Sequence, residues 1–298
     1  MPRKINTRRI RWLASFPKSG NTWIRMFLDA YISGRPPELN NYFGHYVQGD
    51  LRPVDYQSVC PWPIGDVPKS ALAMLRPAML VHLMAHQPTQ RLCLKTHDAK
   101  IDVDGVPRIP PTLTESAIYL VRDPRDIAVS WSHHANCSLD RAVEFVGAGL
   151  SMPTNDSGLY HLIQGWSDHV VSWTADNEDV PTTVIRYEDL LSDPEPQFIA
   201  VLKGLGFEKI KVRRVRKAMR LASFEKLHAT EEKTGFREKR GGDHFFRQGK
   251  AGGWRDTLKP WHVRQIEGEH SDVMAAMGYA LATTTIEELT ENETSTTK

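Results

Sequence analysis

Cysteine is scarce: Cys60, Cys93 and Cys137 are the only three in 298 residues, an odd number with no Cys-x-x-Cys spacing. That pattern argues against a disulfide framework or a zinc site and suits a reducing compartment. Long apolar runs are also missing. The longest are about five residues, against the roughly 20 that a membrane-spanning helix needs. The basic opening MPRKINTRRIRWLASF has too short an apolar part for a signal-peptide core, so a cytoplasmic protein with no membrane partner is expected. A charge excess is absent too: Lys+Arg 38 against Asp+Glu 36 leaves +2, so no global field points to nucleic acid. The basic run Lys209–Arg220 carries no recognition motif with it and reads as a solvated helix face. No internal repeat occurs. The Asn-x-Ser/Thr triplets at Asn136 and Asn292 read as chance matches in such a protein.

What is present is an ordinary globular composition, 40% hydrophobic and 25% charged, long enough for one elaborated domain or two small ones. IRWLASF (10–16) reads as a buried strand, PKSGN as a turn, and residues 22–32 as an amphipathic helix. Residues 34–68 are rich in proline, glycine and aromatics and read as an irregular excursion. A helical stretch follows at 69–86, then a strand at 91–95. Another strand, 116–121, runs into a helix from Pro124 to about His134, with proline well placed in the first turn. Helices near 138–147 and 159–175, a strand at 182–187 and helices near 194–204 and 208–219 complete the alternation. The fold class expected is α/β: one domain over 10–282, a central, mostly parallel sheet flanked by helices. Residues 1–9 form a basic segment, 230–253 read as a mobile loop, and 283–298 as a frayed tail.

Four motifs carry chemistry. Pro17-Lys18-Ser19-Gly20-Asn21-Thr22-Trp23 sits where a strand hands over to a helix, so unsatisfied N–H groups and the helix dipole favour an anion. It lacks the GxxxxGK[ST] pattern of a Walker A loop, and an ordinary capped helix with a surface lysine would look the same. Arg122-Asp-Pro-Arg125-Asp126-Ile-Ala-Val-Ser130 repeats the strand-to-helix context. There Arg122 can fork onto a phosphate and Ser130 can add a hydroxyl donor, unless Arg122 is simply paired with Asp126. Lys95-Thr96-His97 ends a third strand, where ligands of open α/β sheets gather, and His97 is placed to act as a general base. Most of the 12 histidines must be bystanders. Last, Phe246-Arg247-Gln248-Gly249-Lys250-Ala251-Gly252-Gly253-Trp254 is a basic glycine loop that either folds over an anion or merely links.

Taken together and in order, these motifs resemble those of the cytosolic-type sulfotransferases that use 3′-phosphoadenosine 5′-phosphosulfate (PAPS). PKSGNTW resembles their 5′-phosphosulfate loop, VRDPRDIAVS their 3′-phosphate motif, KTH their catalytic histidine motif and RQGKAGGW their late loop. Tyr187-Glu188-Asp189 and Gly165-Trp166…His169-Val170…Trp173 resemble further landmarks. The resemblance runs from about residue 10 to 280 and implies a P-loop-like phosphosulfate cradle. It implies that Lys18 holds the bridging oxygen and the transferring group, that Ser19, Gly20, Asn21 and Thr22 cradle the 5′-phosphate, and that Trp23 stacks on adenine. Arg122 and Ser130 would bind the 3′-phosphate, joined by Arg247, Gln248 and Gly249. Tyr187 and Phe224 would contact the adenine, Lys95 would stabilise charge at the sulfuryl group, and His97 would take the acceptor's proton.

The sequence departs from the family where Gln248 replaces a lysine, which weakens a phosphate contact, and where Ala222 replaces a threonine, which removes an adenine hydrogen bond. The C-terminal dimer motif of the animal enzymes is not matched around Arg255–Arg264, so any homodimer would use another surface. GGWRD and Met277-Gly278-Tyr279 look closer to bacterial members. Lysines can serve a transferring sulfuryl group where a kinase needs Mg²⁺, and no carboxylate or histidine cluster has convincing metal spacing, so no metal is expected. A kinase-like phosphotransferase is the alternative reading of the first cradle. The acceptor, a small molecule with a hydroxyl or amine, is expected among three stretches: the aromatic excursion 35–65 (Tyr42, Phe43, His45, Tyr46, Tyr56, Trp62), 145–160 and 230–246. The last of these is expected to be a lid.

Overall fold

Successive residues of a strand face opposite ways, and in Ile10–Ser15 (β1) both faces are buried. Trp12 and Ala14 enter one apolar cluster with Leu94, Tyr119 and Val121. Leu13 enters another with Cys93, Ile118, Leu120 and Ile185. A sheet that is apolar on both faces must be covered by helices on both, the condition under which parallel sheets form.

The computed structural model describes residues 10–40, 46–86, 92–149, 152–153, 159–175, 179–241, 244–247 and 249–282. The segments 1–9 and 283–298, together with Tyr42, Phe43, His45 and Gln248, lie outside the described residues. After β1 come α1 (Asn21–Ser33), β2 (Val47–Gly49), α2 (Pro53–Gln57), α3 (Lys69–Met74), α4 (Arg76–His86) and β3 (Leu92–Thr96). A two-stranded ribbon, β4 (Asp102–Val103) and β5 (Val106–Pro107), precedes β6 (Thr114–Val121), α5 (Pro124–Ala135) and α6 (Leu139–Ala148). A second ribbon, β7 (Met152–Pro153) and β8 (Tyr160–His161), leads to α7 (Trp166–Thr174) and β9 (Thr182–Arg186). The chain continues through α8 (Tyr187–Ser192), α9 (Pro194–Gly204), α10 (Val212–Leu221), α11 (Phe224–Thr234) and α12 (Pro260–Ala276).

The main sheet has the order β2-β3-β1-β6-β9 with every neighbouring pair parallel. The chain leaves β1 at the centre, returns beside it as β3, and then crosses to the other side as β6. This reversal of direction opens a crevice at the carboxyl ends of β1, β3 and β6, where ligands of such sheets sit.

The excursion 34–68 is less irregular than its composition suggests. Val47–Gly49 pairs with Cys93–Lys95 as the sheet's edge strand, a run too short to leave a periodic signal. The helix expected at 159–175 begins only at Trp166, because Tyr160 and His161 belong to the second ribbon. Residues 69–86 form two helices rather than one. Tyr187 opens α8 instead of ending β9. The stretch read as a mobile loop from residue 230 is anchored: its first residues finish α11, and the buried Glu231 carboxylate accepts hydrogen bonds from the Phe245 N–H (2.6 Å) and the Phe246 N–H (2.9 Å). The basic run does form a solvated helix face, with only Val215 and Ala218 of α10 buried. All three cysteines are free.

Candidate active site

Four loops at the carboxyl edge of the sheet meet around a cavity of about 540 Å³. The first follows β1. Lys18 (φ 69°) and Gly20 (φ 99°) both take left-handed conformations, which turn the chain sharply enough to aim the start of α1 at the cavity. Gly20 is required twice over, since a Cβ there would lie 2.7 Å from Cδ2 of Tyr187. The first backbone bond of the helix runs from the Trp23 N–H to the Gly20 carbonyl (3.0 Å), so the N–H groups before it have no intrahelical partner. Such a terminus favours an anion.

Lys18, Gly20, Asn21, Thr22 and Trp23 line the cavity. Ser19 does not. It is fully enclosed, and among the described residues its hydroxyl has no partner. Asn21 lines the wall, but its amide is used to tie α1 to the sheet, donating to the Leu13 carbonyl (3.2 Å) and Ser15 Oγ (3.3 Å). Burial, reinforced by Arg122 nearby, lowers the Lys18 ammonium to about 7. Burial lowers Lys95 to about 8, with Glu238 opposing the shift.

Arg122, after β6, reaches both ends of the crevice. It donates to the Lys18 carbonyl (3.0 Å) and the Lys250 carbonyl (3.2 Å), lies 4.3 Å over the Tyr187 ring, and among the described residues its Nε–H has no partner. It is not neutralised by Asp126, whose carboxylate instead accepts from the N–H groups of Gly252 (2.6 Å) and Trp254 (3.0 Å). Asp126 thereby pins the glycine loop beside Arg122. Ser130, Phe224, Tyr187, Arg247 and Gly249 line the same part of the cavity, with Gly249 so close to Phe224 that a Cβ would meet its ring at 2.6 Å. Trp23 is anchored by its Nε1–H to the Ala222 carbonyl (3.0 Å) and meets Tyr187 edge-on at 6.2 Å.

His97 follows β3. Its Nδ1 lies 2.7 Å from the Ser15 carbonyl, which can only accept, so Nδ1 carries the proton and Nε2 the lone pair. Burial and then the adjacent Lys95 hold it well below the usual imidazole range, so the ring is neutral at physiological pH. The His97 backbone is braced from behind: His169 Nε2–H donates to the His97 carbonyl (3.2 Å) while Tyr119 OH donates to His169 Nδ1 (2.8 Å). Trp173 Nε1–H holds the Asp98 carbonyl (3.0 Å). The landmark residues of α7 are therefore the scaffold of the histidine loop.

Several participants left no sequence signal. Glu238 reaches into the cradle, accepting from Arg25 Nη2 (2.6 Å) and Thr22 Oγ1 (3.2 Å), and its carboxylate is held below its usual range by Arg25 and Lys95 against the cost of burial. Arg25 stands three residues beyond Thr22 on the same helix face, a spacing the sequence did display. Asp50, Asp98 and His161 bring ligand-type atoms within 4.8 Å of one another. Arg76 and Arg108, however, already supply the positive charge there, donating to Asp50 (2.6 Å) and Asp98 (2.7 Å). The expected aromatic acceptor wall is only partly realised: Tyr56 is core, Trp62 is 67% exposed, and the cavity is lined by Gly49, Leu51, Trp131, Phe245 and His161 instead.

The sulfotransferase domain family model matches residues 9–278. The chain belongs to the sulfotransferase family. It is 25% identical over 273 residues to cytosolic sulfotransferase 13 of Arabidopsis thaliana, covering 86% of this chain and 74% of that one. It is 24% identical over 289 residues to sulfotransferase 1A1 of Bos taurus, covering 88% and 82%. In fold, the sulfotransferase is similar to retinol dehydratase in a complex with androsterone and the inactive cofactor PAP (TM-score 0.58, 23% identity, 90% of this chain and 81% of that one). It is also similar to mouse sulfotransferase SULT7A1 complexed with PAP (TM-score 0.55, 19% identity, 90% and 85%). Among the described residues, no helix of the sulfotransferase is long and apolar enough to cross a membrane.

Proposed function

We propose that this sulfotransferase moves the sulfuryl group of PAPS to a hydroxyl or amine of a small-molecule acceptor, leaving 3′-phosphoadenosine 5′-phosphate (PAP). The observation that carries the reading is the pair of cationic cradles, Lys18–Trp23 and Arg122 with Arg247 and Gly249, opening into one cavity with His97 on its wall. A nucleotide with phosphates at both 3′ and 5′ positions answers that spacing of charge. A kinase-like phosphotransferase does not, having no use for the second cradle. The fold relative that holds PAP together with androsterone supports both the nucleotide and an acceptor of small-molecule size. Relatives named cytosolic support a cytoplasmic setting.

The chemistry follows from the atoms present. The acceptor oxygen attacks sulfur, the bond from sulfur to the bridging oxygen of the 5′-phosphate breaks, and PAP departs with that electron pair. The acceptor's proton passes to the bare Nε2 of His97. Lys18 and Lys95, both lowered toward neutrality by burial, become fully charged as anionic oxygens approach and stabilise the charge building on the bridging and sulfuryl oxygens. No step calls on a divalent metal.

Arg122→Ala should weaken PAP by about 10- to 100-fold in calorimetry, the range for losing a charge-assisted contact, while 5′-AMP loses far less. Equal losses for the two nucleotides would overturn the assignment of the 3′-phosphate to Arg122.

A further inference from the structure

Beyond His97 the cavity wall carries a second imidazole. His161, in the short β8 ribbon, meets the His97 ring edge-on with centroids 5.5 Å apart. Its Nδ1 lies 3.1 Å from Asp98 Oδ1, which also accepts from the Leu162 N–H at 2.9 Å. The other oxygen of Asp98 takes two bonds from Arg108, at 2.9 and 2.7 Å, with Arg76 at 3.5 Å. A carboxylate so placed can only accept, so His161 Nδ1 bears the proton, and in the neutral ring Nε2 carries the lone pair. Among the described residues that Nε2 has no hydrogen-bond partner, nor is it among the sealed buried atoms, so it meets the cavity. Assembling Asp50, Arg76, Asp98 and Arg108 in the interior is costly, and the outcome here is a cavity-facing ring fixed in one tautomer.

Two fixed imidazoles then present lone pairs to one acceptor. One lone pair suffices for the transferred group's proton. The other, left facing an apolar portion of the acceptor, would be desolvated without compensation, which is how a binding site rejects a ligand lacking a donor. The ring centroids stand 5.5 Å apart, a separation on the scale of two O–H···N contacts of about 2.8 Å each made by one acceptor. We propose that His161 is a specificity-determining residue, selecting acceptors that carry a second hydrogen-bond donor beside the hydroxyl that is sulfonated, as in a catechol or a vicinal diol. This rests on the sulfotransferase reading above and deepens it.

The test uses the full chain saturated with PAP and two probes, catechol and 2-methoxyphenol, which differ by the second donor. PAP binding, measured first in the same instrument, tests the nucleotide reading separately. Wild type should bind catechol about tenfold more tightly than 2-methoxyphenol, the yield of one hydrogen bond. His161→Asn keeps an amide donor for Asp98 but has nothing at the Nε2 position, and should collapse that ratio to within about twofold with the melting temperature retained. His161→Gln, which places an oxygen near Nε2, should restore part of it. Wild type that binds no catechol, wild type that shows no preference, or His161→Asn that keeps the preference would each overturn the proposal.

Discussion

His97 and Lys18 show how burial sets the working charge of single residues. His97 is neutral because desolvation and Lys95 oppose its protonation, and the Ser15 carbonyl fixes which nitrogen is free. His97→Ala should therefore lower kcat by about 10²–10⁴-fold while PAP affinity stays within a few-fold, the pattern for loss of a general base. A parallel fall in melting temperature and PAP affinity would mark the ring as structural instead. Burial, and then Arg122, lowers Lys18 to about 7, so above that pH it is largely neutral and must gain a proton to meet an anion. PAP affinity should fall as pH rises from 7 to 9, with proton uptake on binding visible in buffers of different ionisation enthalpy. Affinity that is flat over that range, with no proton uptake, would contradict a depressed Lys18. The positions of these two residues were legible from strand ends and motif. Their charge states were not, because each depends on neighbours far along the chain.

Among the elements, the segment from α11 to the glycine loop departs furthest from its sequence reading. Its composition suggested a mobile loop, yet Glu231 caps Phe245 and Phe246, and Glu238 fills the anionic place between Arg25, Thr22 and the two lysines. An incoming phosphosulfate meets that carboxylate already in position. Glu238→Gln should accordingly bind PAP several-fold more tightly than wild type at neutral pH, since a like charge is removed from the site. Hydrogen exchange across 230–241 should also respond to PAP. Unchanged or weaker PAP binding in Glu238→Gln would show that the carboxylate does not compete. Nothing in the local pattern of Glu231–Arg240 distinguishes Glu238 from its charged neighbours. Only the tertiary path, which brings residue 238 back to residue 25, selects it.

Across the whole molecule, the parallel sheet and its flanking helices were legible, though not the strand order, because both faces of a parallel sheet must be apolar and each crossover needs a helix. Three of the four chemical motifs stood out because they punctuate strand ends. The cavity wall was legible only in part: Leu51 and Phe245 fall in two of the three expected stretches, whereas Trp131 and His161 come from elsewhere and share no spacing with them. The aromatic residues that looked most promising, Tyr56 and Trp62, went to the core and the surface. The central claim, that this assembly transfers sulfuryl groups from PAPS with cationic side chains in place of a metal, is tested most directly by supplying sulfur-labelled PAPS and, separately, γ-phosphate-labelled ATP in chelated, metal-free buffer with a panel of phenols, alcohols and amines. The account predicts label in an acceptor from PAPS alone, undiminished by EDTA. Transfer from ATP, or transfer that vanishes on chelation and returns with Mg²⁺, would contradict it.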